Sequence, residues 1–536
     1  MTIDPRLQDL LDRAMRLRRS GELPQALEAF LAAQQIAPQL HHLAGLAATV
    51  ARDLCQIELA AELLDRAIAA GASDAFRLRR ATLLSPIIAS EAQVERARRE
   101  MADGLEALLA RPSLRIDDPL AELPYLHFYL AYHGRDDRAL HQRVGDVLRR
   151  ACPALNAVAD HCRRPQPAVD RRLRVGFFSS HFHAHTIGHL NRRLIELLDR
   201  RRFETTVIFE GRMRDGFAQQ LAAAADRALI VPRELSKMRR QIAALELDLL
   251  YFTDIGMDLA SYFLAFSRLA PVQCMTWGHP VTSGLSTVDY FISSEALESV
   301  GSEGQYAEAL VRLDGPLSVS YPRPPAPQPV THSELGIDAE RRVYLCPQTL
   351  FKFHPEFDRA LRAILRADSQ AVLVLLRPKV PRWGEIKCEQ ICGGDRSLAE
   401  RIRFAPPLAR ERFLGLFALA DVVLDPFHFG GGNTTLEALH SGAVVVTLPS
   451  AMLRGRISRA CYLALGIGDC LAESAEDYVA LAIGLAKDRV RRGALQAQIA
   501  ARVDQLFDQR GPIAAHENFF VEAHRRAVAS AGVAER

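Results

Sequence analysis

Hydrophobic and polar positions along this chain change their period once, near residue 170, and a proline-rich boundary follows near residue 325. From residue 1 to about 160 the apolar residues recur at the 3.6-residue spacing of amphipathic helices, and strand-like runs are few. Gly21, Ala26, Phe30, Ala33 and Pro38 fall where a helical hairpin needs small residues at the helix contact, an aromatic in the groove and proline at the exit. Ala60, Leu64 and Ala67 repeat that pattern after a period of about 34 residues, which predicts two helix pairs. The stretch from Ser90 to Leu148 stays helical without the signature, as a degenerate repeat or a cap. Chance Ala/Leu helices are the plain alternative.

After the proline-bearing, charged connector Arg163–Arg172 the pattern switches to short apolar runs alternating with helical stretches. Strands are expected at 174–179, 204–209, 228–231, 247–252, 272–275, 289–292 and 309–313. A proline-rich segment, Tyr321–Pro329, then precedes a second series at 343–346, 372–376, 402–404, 422–424 and 443–448. Such alternation implies mostly parallel sheets covered on both faces, with a ligand crevice at the carboxyl ends of the strands. The expected fold is a helical repeat region of the tetratricopeptide (TPR) type at 1–162, a linker at 163–172, and two doubly wound, Rossmann-like α/β domains. These domains span 173–325 and 326–512 and face a cleft, and a terminal helix at 513–536 packs back across it. A TPR-like array presents a concave surface for a peptide or protein partner.

Composition narrows the reading mainly by exclusion. A net charge of +3 from 67 basic and 64 acidic residues offers no nucleic-acid footprint. Nine scattered cysteines make a complete disulfide framework unexpected, and Cys388 with Cys392 lacks the further ligands of a zinc site. The N-terminal residues form no signal peptide, and no stretch approaches the ~18 apolar residues of a membrane span. A soluble, cytoplasmic protein is expected.

Candidate chemistry concentrates where expected strands end. The stretch Asp421–Pro449 reads strand, Asp425-Pro426, the Gly430-Gly431-Gly432 turn, then a helix opened by Asn433, Thr434 and Thr435. Glycines allow close backbone approach, and unpaired N–H groups at a helix start suit a nucleotide diphosphate. Asn433 is a candidate helix cap, Thr434 and Thr435 add donors, and Glu437 is placed to accept from a ribose. The spacing fits neither GxxxxGK[ST] nor GxGxxG, and an ordinary glycine turn remains the bland alternative. His181, His183, His185 and His189 crowd after the first strand at a spacing unlike a helical zinc motif, and a surface cluster is the simpler reading.

Taken together, SSHFHAHTIGHL, APVQCMTWGHPVTSG (Ala270–Gly284), LCPQTLFKFHPEF (Leu345–Phe357) and the Gly430–Glu437 phrase resemble the GT-B glycosyltransferases of the protein O-GlcNAc transferase and SPINDLY-like family. The GHP form also resembles the related bacterial asparagine glucosyltransferases. The resemblance covers residues 172–525. It places His185 on an active-site histidine and Lys352 on a lysine that pairs with the donor diphosphate, where a cation stabilises the departing UDP. It further implies nucleotide-sugar contacts from Gly278, His279, Pro280, Thr282, Ser283, Gln348, Arg410, Gly432, Asn433, Thr434, Thr435 and Glu437. His181 stands where many relatives have Asp, Asp254-Ile255-Gly256-Met257 lacks the commoner Gly-His-Thr, Arg410 stands for a Lys, and Asn433 replaces a His or Thr.

The resemblance implies an inverting, metal-independent transfer of GlcNAc or a related hexose from a UDP-sugar to Ser/Thr of a protein chosen by the repeats. No cofactor is expected. Absence of any Asp-x-Asp disfavours a metal-dependent GT-A enzyme and leaves the charge to the helix dipole and Lys352. The rivals are a TPR scaffold with an inactive nucleotide-binding module, an asparagine glucosyltransferase, and a sugar-nucleotide epimerase.

Overall fold

The computed structural model describes residues 4–534. Helices Pro5–Ser20 and Leu23–Ile36 form one antiparallel pair, and His41–Asp53 and Ile57–Ala69 form the next. The expected repeat positions Ala26, Phe30, Ala33, Ala60, Leu64 and Ala67 are all buried at the helix contacts. Helices Asp74–Ala81 and Glu91–Leu109 continue the array. Between Leu109 and helix Arg138–Ala151 the chain departs from the helical expectation, with only short turns around Pro119–Glu122 and Phe128–Tyr132.

Seven parallel strands follow: β1 (Leu173–Ser179), β2 (Phe203–Glu210), β3 (Arg227–Val231), β4 (Leu249–Phe252), β5 (Val272–Thr276), β6 (Tyr290–Ser294) and β7 (Ala309–Leu313). Their order is β3-β2-β1-β4-β5-β6-β7. The second sheet holds β8 (Arg342–Cys346), β9 (Ala371–Leu376), β10 (Ile402–Ala405), β11 (Val422–Leu424) and β12 (Val445–Val446), ordered β10-β9-β8-β11-β12. Central strands such as β4, LLYF, are buried at every position, which is why they read as continuous apolar runs. Each sheet reverses its winding beside its first strand, at β1/β4 and at β8/β11. Connections leaving those strand ends diverge, so each reversal opens a crevice.

The expected strand at 443–448 shortens to Val445–Val446. Flanking Thr447 instead exchanges backbone bonds with Cys470 and Ala472, while the Tyr462 hydroxyl accepts from Val445 N–H at 2.8 Å. The two crossings between the α/β domains run side by side, joined where Asp508 N–H donates to Tyr321 O at 2.8 Å. Helix Gly511–Ala534 then completes the first domain, burying Ile513, Phe520 and Ala523 in one apolar cluster with Phe203 and Tyr251. No helix among the described residues is long and apolar enough to cross a membrane.

The helical region is wedged against both α/β domains. Asp137, only 1% exposed, receives Arg98 at 2.6 Å from its own region and Arg454 at 3.0 Å from the second domain. Trp383 Nε1 donates to Asp53 O at 2.7 Å. Phe128, Tyr129 and Tyr132 meet Phe351, Phe128 stacks on His279 of the first domain, and Tyr132 packs on Phe429. One aromatic cluster thus touches all three parts of the chain.

Removing one partner from a buried ion pair leaves an uncompensated charge, at a cost of about 3–5 kcal/mol. Asp137→Ala is therefore expected to lower the thermal midpoint by several degrees and to expose Arg454. A midpoint equal to that of the parent protein in differential scanning calorimetry would refute this docking role.

Candidate functional site

The reversal in the second sheet collects most of the chemistry. From β8 the chain runs through Gln348 into the turn Leu350–Lys352; from β11 it runs through Asp425 to the glycines and helix Asn433–His440. Asp425 is buried and accepts from Gly431 N–H at 2.6 Å, Thr447 Oγ1 at 2.8 Å and Ser458 Oγ at 2.7 Å. Those bonds hold the glycine loop down on the sheet. Burial still pushes its carboxyl above the usual range, against the pull of these donors and of Lys352. Gly431 needs to be glycine because an added Cβ would lie 2.6 Å from both the Thr434 and Thr435 hydroxyls.

Among the described residues, no protein acceptor meets the N–H groups of Gly432, Asn433 and Thr434. Three successive donors at a helix start form an anion cradle. Lys352 Nζ stands at its edge, donating to Gln348 Oε1 at 2.8 Å and lying 3.5 Å from Gly430 O, with its ammonium 4.8 Å from the Phe429 ring centre. Gln348 passes the contact on, since its amide donates to Thr434 Oγ1. Burial pulls the Lys352 pKa down to about 8, opposed by Asp425. The Thr435 hydroxyl donates to Gly431 O at 3.1 Å and meets Ser458 Oγ at 2.8 Å.

Asn433 does not cap the helix. The helix already starts at Asn433, and the side-chain amide crosses the cleft to donate to Thr186 O at 2.9 Å. Arg410 also spans the domains: it donates to Glu437 Oε1 at 3.1 Å and to the His189 ring, 3.0 Å from Nε2. Glu437 accepts from the Tyr321 hydroxyl as well, at 3.3 Å, so one of its oxygens is already engaged by protein. Burial raises the Glu437 carboxyl and lowers the His189 imidazole to about 4.

His185 sits opposite, at the end of the first sheet's reversal, and caps helix Thr186–Leu197 by accepting from Ile187 N–H through Nδ1 at 3.3 Å. That bond leaves the neutral ring's proton on Nε2, where the imidazole is a donor. Burial first, then the neighbouring histidines, lowers its pKa to about 3. His181 stacks on it with ring centres 4.5 Å apart, and behind His181 lies buried Asp254, 3.9 Å away. Burial lifts Asp254 to about 7, against its bond from Ser179 Oγ.

In the turn 278–284, Thr282 Oγ1 and the Ser283 hydroxyl both donate to the buried Glu308 carboxylate, so these hydroxyls hold the turn together. Gly278 is a packing position: a Cβ there would fall 2.0 Å from Thr253 O. His279 is buried against Phe128, and its pKa falls to about 3 through burial. Pro280 borders a small crevice with Asp137 and Arg454. Sequence reasoning missed the tether Asp425, the aromatic wall of Phe128, Tyr132, Phe351 and Phe429, and Lys379, whose charge acts on His185. The signal for Asp425 was legible, since an Asp at the end of an apolar strand has a glycine loop to hold; nothing in the sequence paired the aromatics.

Two doubly wound domains facing across a cleft, with an anion cradle on the second, define a GT-B glycosyltransferase architecture. The chain belongs to glycosyl transferase family 41, whose model matches residues 154–319 and 327–513. It is 25% identical over 341 residues to the probable UDP-N-acetylglucosamine--peptide N-acetylglucosaminyltransferase SEC of Arabidopsis thaliana, covering 62% of this chain and 35% of that protein. It is 29% identical over 261 residues to the UDP-glucose:protein N-beta-glucosyltransferase of Actinobacillus pleuropneumoniae, covering 46% of this chain and 40% of that one. The chain thus spans well under half the length of these curated relatives. A mutant of Thermobaculum terrenum O-GlcNAc transferase superposes with a TM-score of 0.74 at 25% identity, over 99% of this chain and 100% of that one.

Asp425→Ala removes three acceptor bonds from a buried loop. It is expected to destabilise the second domain by about 2–3 kcal/mol and to speed amide exchange at Gly430–Gly432. Unchanged protection of these amides in hydrogen-exchange mass spectrometry would show that the loop holds itself.

Proposed function

We propose that this protein moves a hexose, GlcNAc or a close relative, from a UDP-sugar to a protein side chain, with inversion and without a metal at the diphosphate. The observation that carries the reading is the row of free N–H groups at Gly432–Thr434 with the Lys352 ammonium beside it. A diphosphate seated there meets the helix N-terminus and a cation that gains effect as charge develops on the leaving group. His185, a neutral donor across the cleft, orients the sugar or the acceptor. Ser/Thr acceptors are the first reading, by likeness to the Arabidopsis SEC relative. Asparagine is the second, favoured by the 29% identity to the Actinobacillus N-glucosyltransferase. Selection of the acceptor is assigned to the helical region. That region also walls the cleft through Phe128 and Tyr132, so acceptor selection is better tested by exposed changes on the repeat pairs than by deleting residues 1–160.

Released UDP and mass-spectrometric mapping of the modified residue, with a panel of UDP-sugars and acceptor peptides containing Ser, Thr or Asn, test the assignment. Lys352→Ala should lower turnover by about 100-fold or more while leaving the melting temperature of the free protein within about 2 °C. Full turnover in that variant would take Lys352 out of the reaction. Failure of every UDP-sugar to turn over, with UDP still bound, would favour an inactive scaffold.

A pH dependence follows from the depressed Lys352 pKa of about 8. In the UDP-free protein the ammonium loses its proton as pH rises through 8, whereas bound diphosphate favours the charged form. UDP binding should therefore take up a proton above pH 8, and affinity should fall by up to about tenfold per pH unit there. Lys352→Arg, charged throughout, should flatten that limb; identical profiles for the two proteins in isothermal titration would refute the assignment.

A further inference from the structure

We infer that His354, Glu356 and His428 form a binding site for a divalent transition-metal ion of the Zn2+ type. One nitrogen or oxygen from each of the three lies within 4.8 Å of the others, and they are the only such group of three among the described residues. His428 Nε2 is 3.0 Å from Glu356 Oε2, and the His354 and His428 rings meet edge to face with centres 4.6 Å apart. Ligand atoms around a tetrahedral ion with ~2.0–2.1 Å bonds sit roughly 3.3 Å from one another, so small side-chain rotations close the set. Two imidazoles and one carboxylate match zinc better than calcium or magnesium, and a fourth position remains for water.

Three further features set this group apart from an ordinary polar contact. The His354 side chain is fully buried, and the nitrogen it turns to the group is Nδ1, which lies 4.0 Å from Glu356 Oε2 and accepts a long 3.4 Å bond from Glu356 N–H that an ion would replace. His428 holds a left-handed backbone, φ +66°, which a non-glycine residue adopts only under constraint. Gly134 of the helical region fits against its ring so closely that a Cβ there would lie 2.8 Å from His428 Cγ. Glu356 stays one-third exposed, which leaves an entry path. The cations nearby are already matched, Arg135 by Glu95 at 3.0 Å and Lys387 by Asp358 at 2.8 Å.

Placement gives the site its meaning. His354 follows Lys352 by two residues, and His428 precedes Gly430 by two. An ion there clamps the β8 and β11 loops together just outside the anion cradle. It takes no part in the chemistry proposed above but stiffens the loops that hold the donor, and only this last consequence rests on that proposal. The histidines at 181, 183 and 185 do not converge in the same way: His181 and His185 lie ring against ring, 22° from coplanar.

The test uses the full chain after dialysis against chelator, with zinc chloride as the probe. Titration calorimetry should find one ion per chain, and the melting temperature should rise with zinc. Glu356→Gln and His428→Asn, the latter chosen because Asn tolerates the left-handed backbone, should each weaken zinc binding at least tenfold. His183→Ala should bind as the parent does. The zinc-free melting temperatures of the two ligand variants separate misfolding from ligand loss, and the cobalt(II) absorption of a four-coordinate site gives a second reading on any variant that proves unstable. No zinc binding by the parent protein, or binding and cobalt spectra unchanged in both ligand variants, overturns the inference. Neither readout depends on sugar transfer, so a failed transfer assay leaves this result intact.

Discussion

The buried Asp425 carboxylate is the tie on which the functional end of the second domain depends. It draws one backbone donor and two hydroxyls from three separate segments onto a single group, and the Tyr478 hydroxyl bonds its carbonyl at 3.1 Å. A glycine loop is otherwise the costliest backbone to order, since glycine loses more freedom on folding than any other residue. Tethered this way, the loop leaves its next three N–H groups without a protein acceptor among the described residues. The same carboxylate supports the charge on Lys352, so the cradle and its cation share one source of order.

The helical region is a structural part of this site rather than an appendage. Its Phe128 and Tyr132 reach Phe351 and Phe429, the residues just before Lys352 and just before the glycines, while Arg454 from the second domain is buried against its Asp137. The Phe429 ring lies 4.8 Å from the Lys352 ammonium, so this packing keeps water from that charge and strengthens any interaction there. The helical region is thereby packed directly on the loops that carry Lys352 and the glycines. The α/β domains are also joined directly across the cleft, by Asn433 to Thr186 and by Arg410 to His189.

Local pattern by itself determined much of this molecule. Helix pairs follow from a repeat of small and aromatic positions, buried parallel strands follow from unbroken apolar runs, and the glycine-to-helix junction is a contiguous phrase; each is decided by neighbours within one or two turns. What only the tertiary structure decided are the relations between residues far apart in the chain. Thr282 and Ser283 carry the hydroxyls a ligand site wants, yet Glu308 claims both because a buried carboxylate has to find donors. Asn433 has the composition of a helix cap, yet a carbonyl in the other domain takes its amide. His354 and His428 lie in two different loops, and only the β8/β11 pairing places those loops side by side. Such choices depend on which polar groups are buried together, and burial is a property of the packed chain that no sequence window contains.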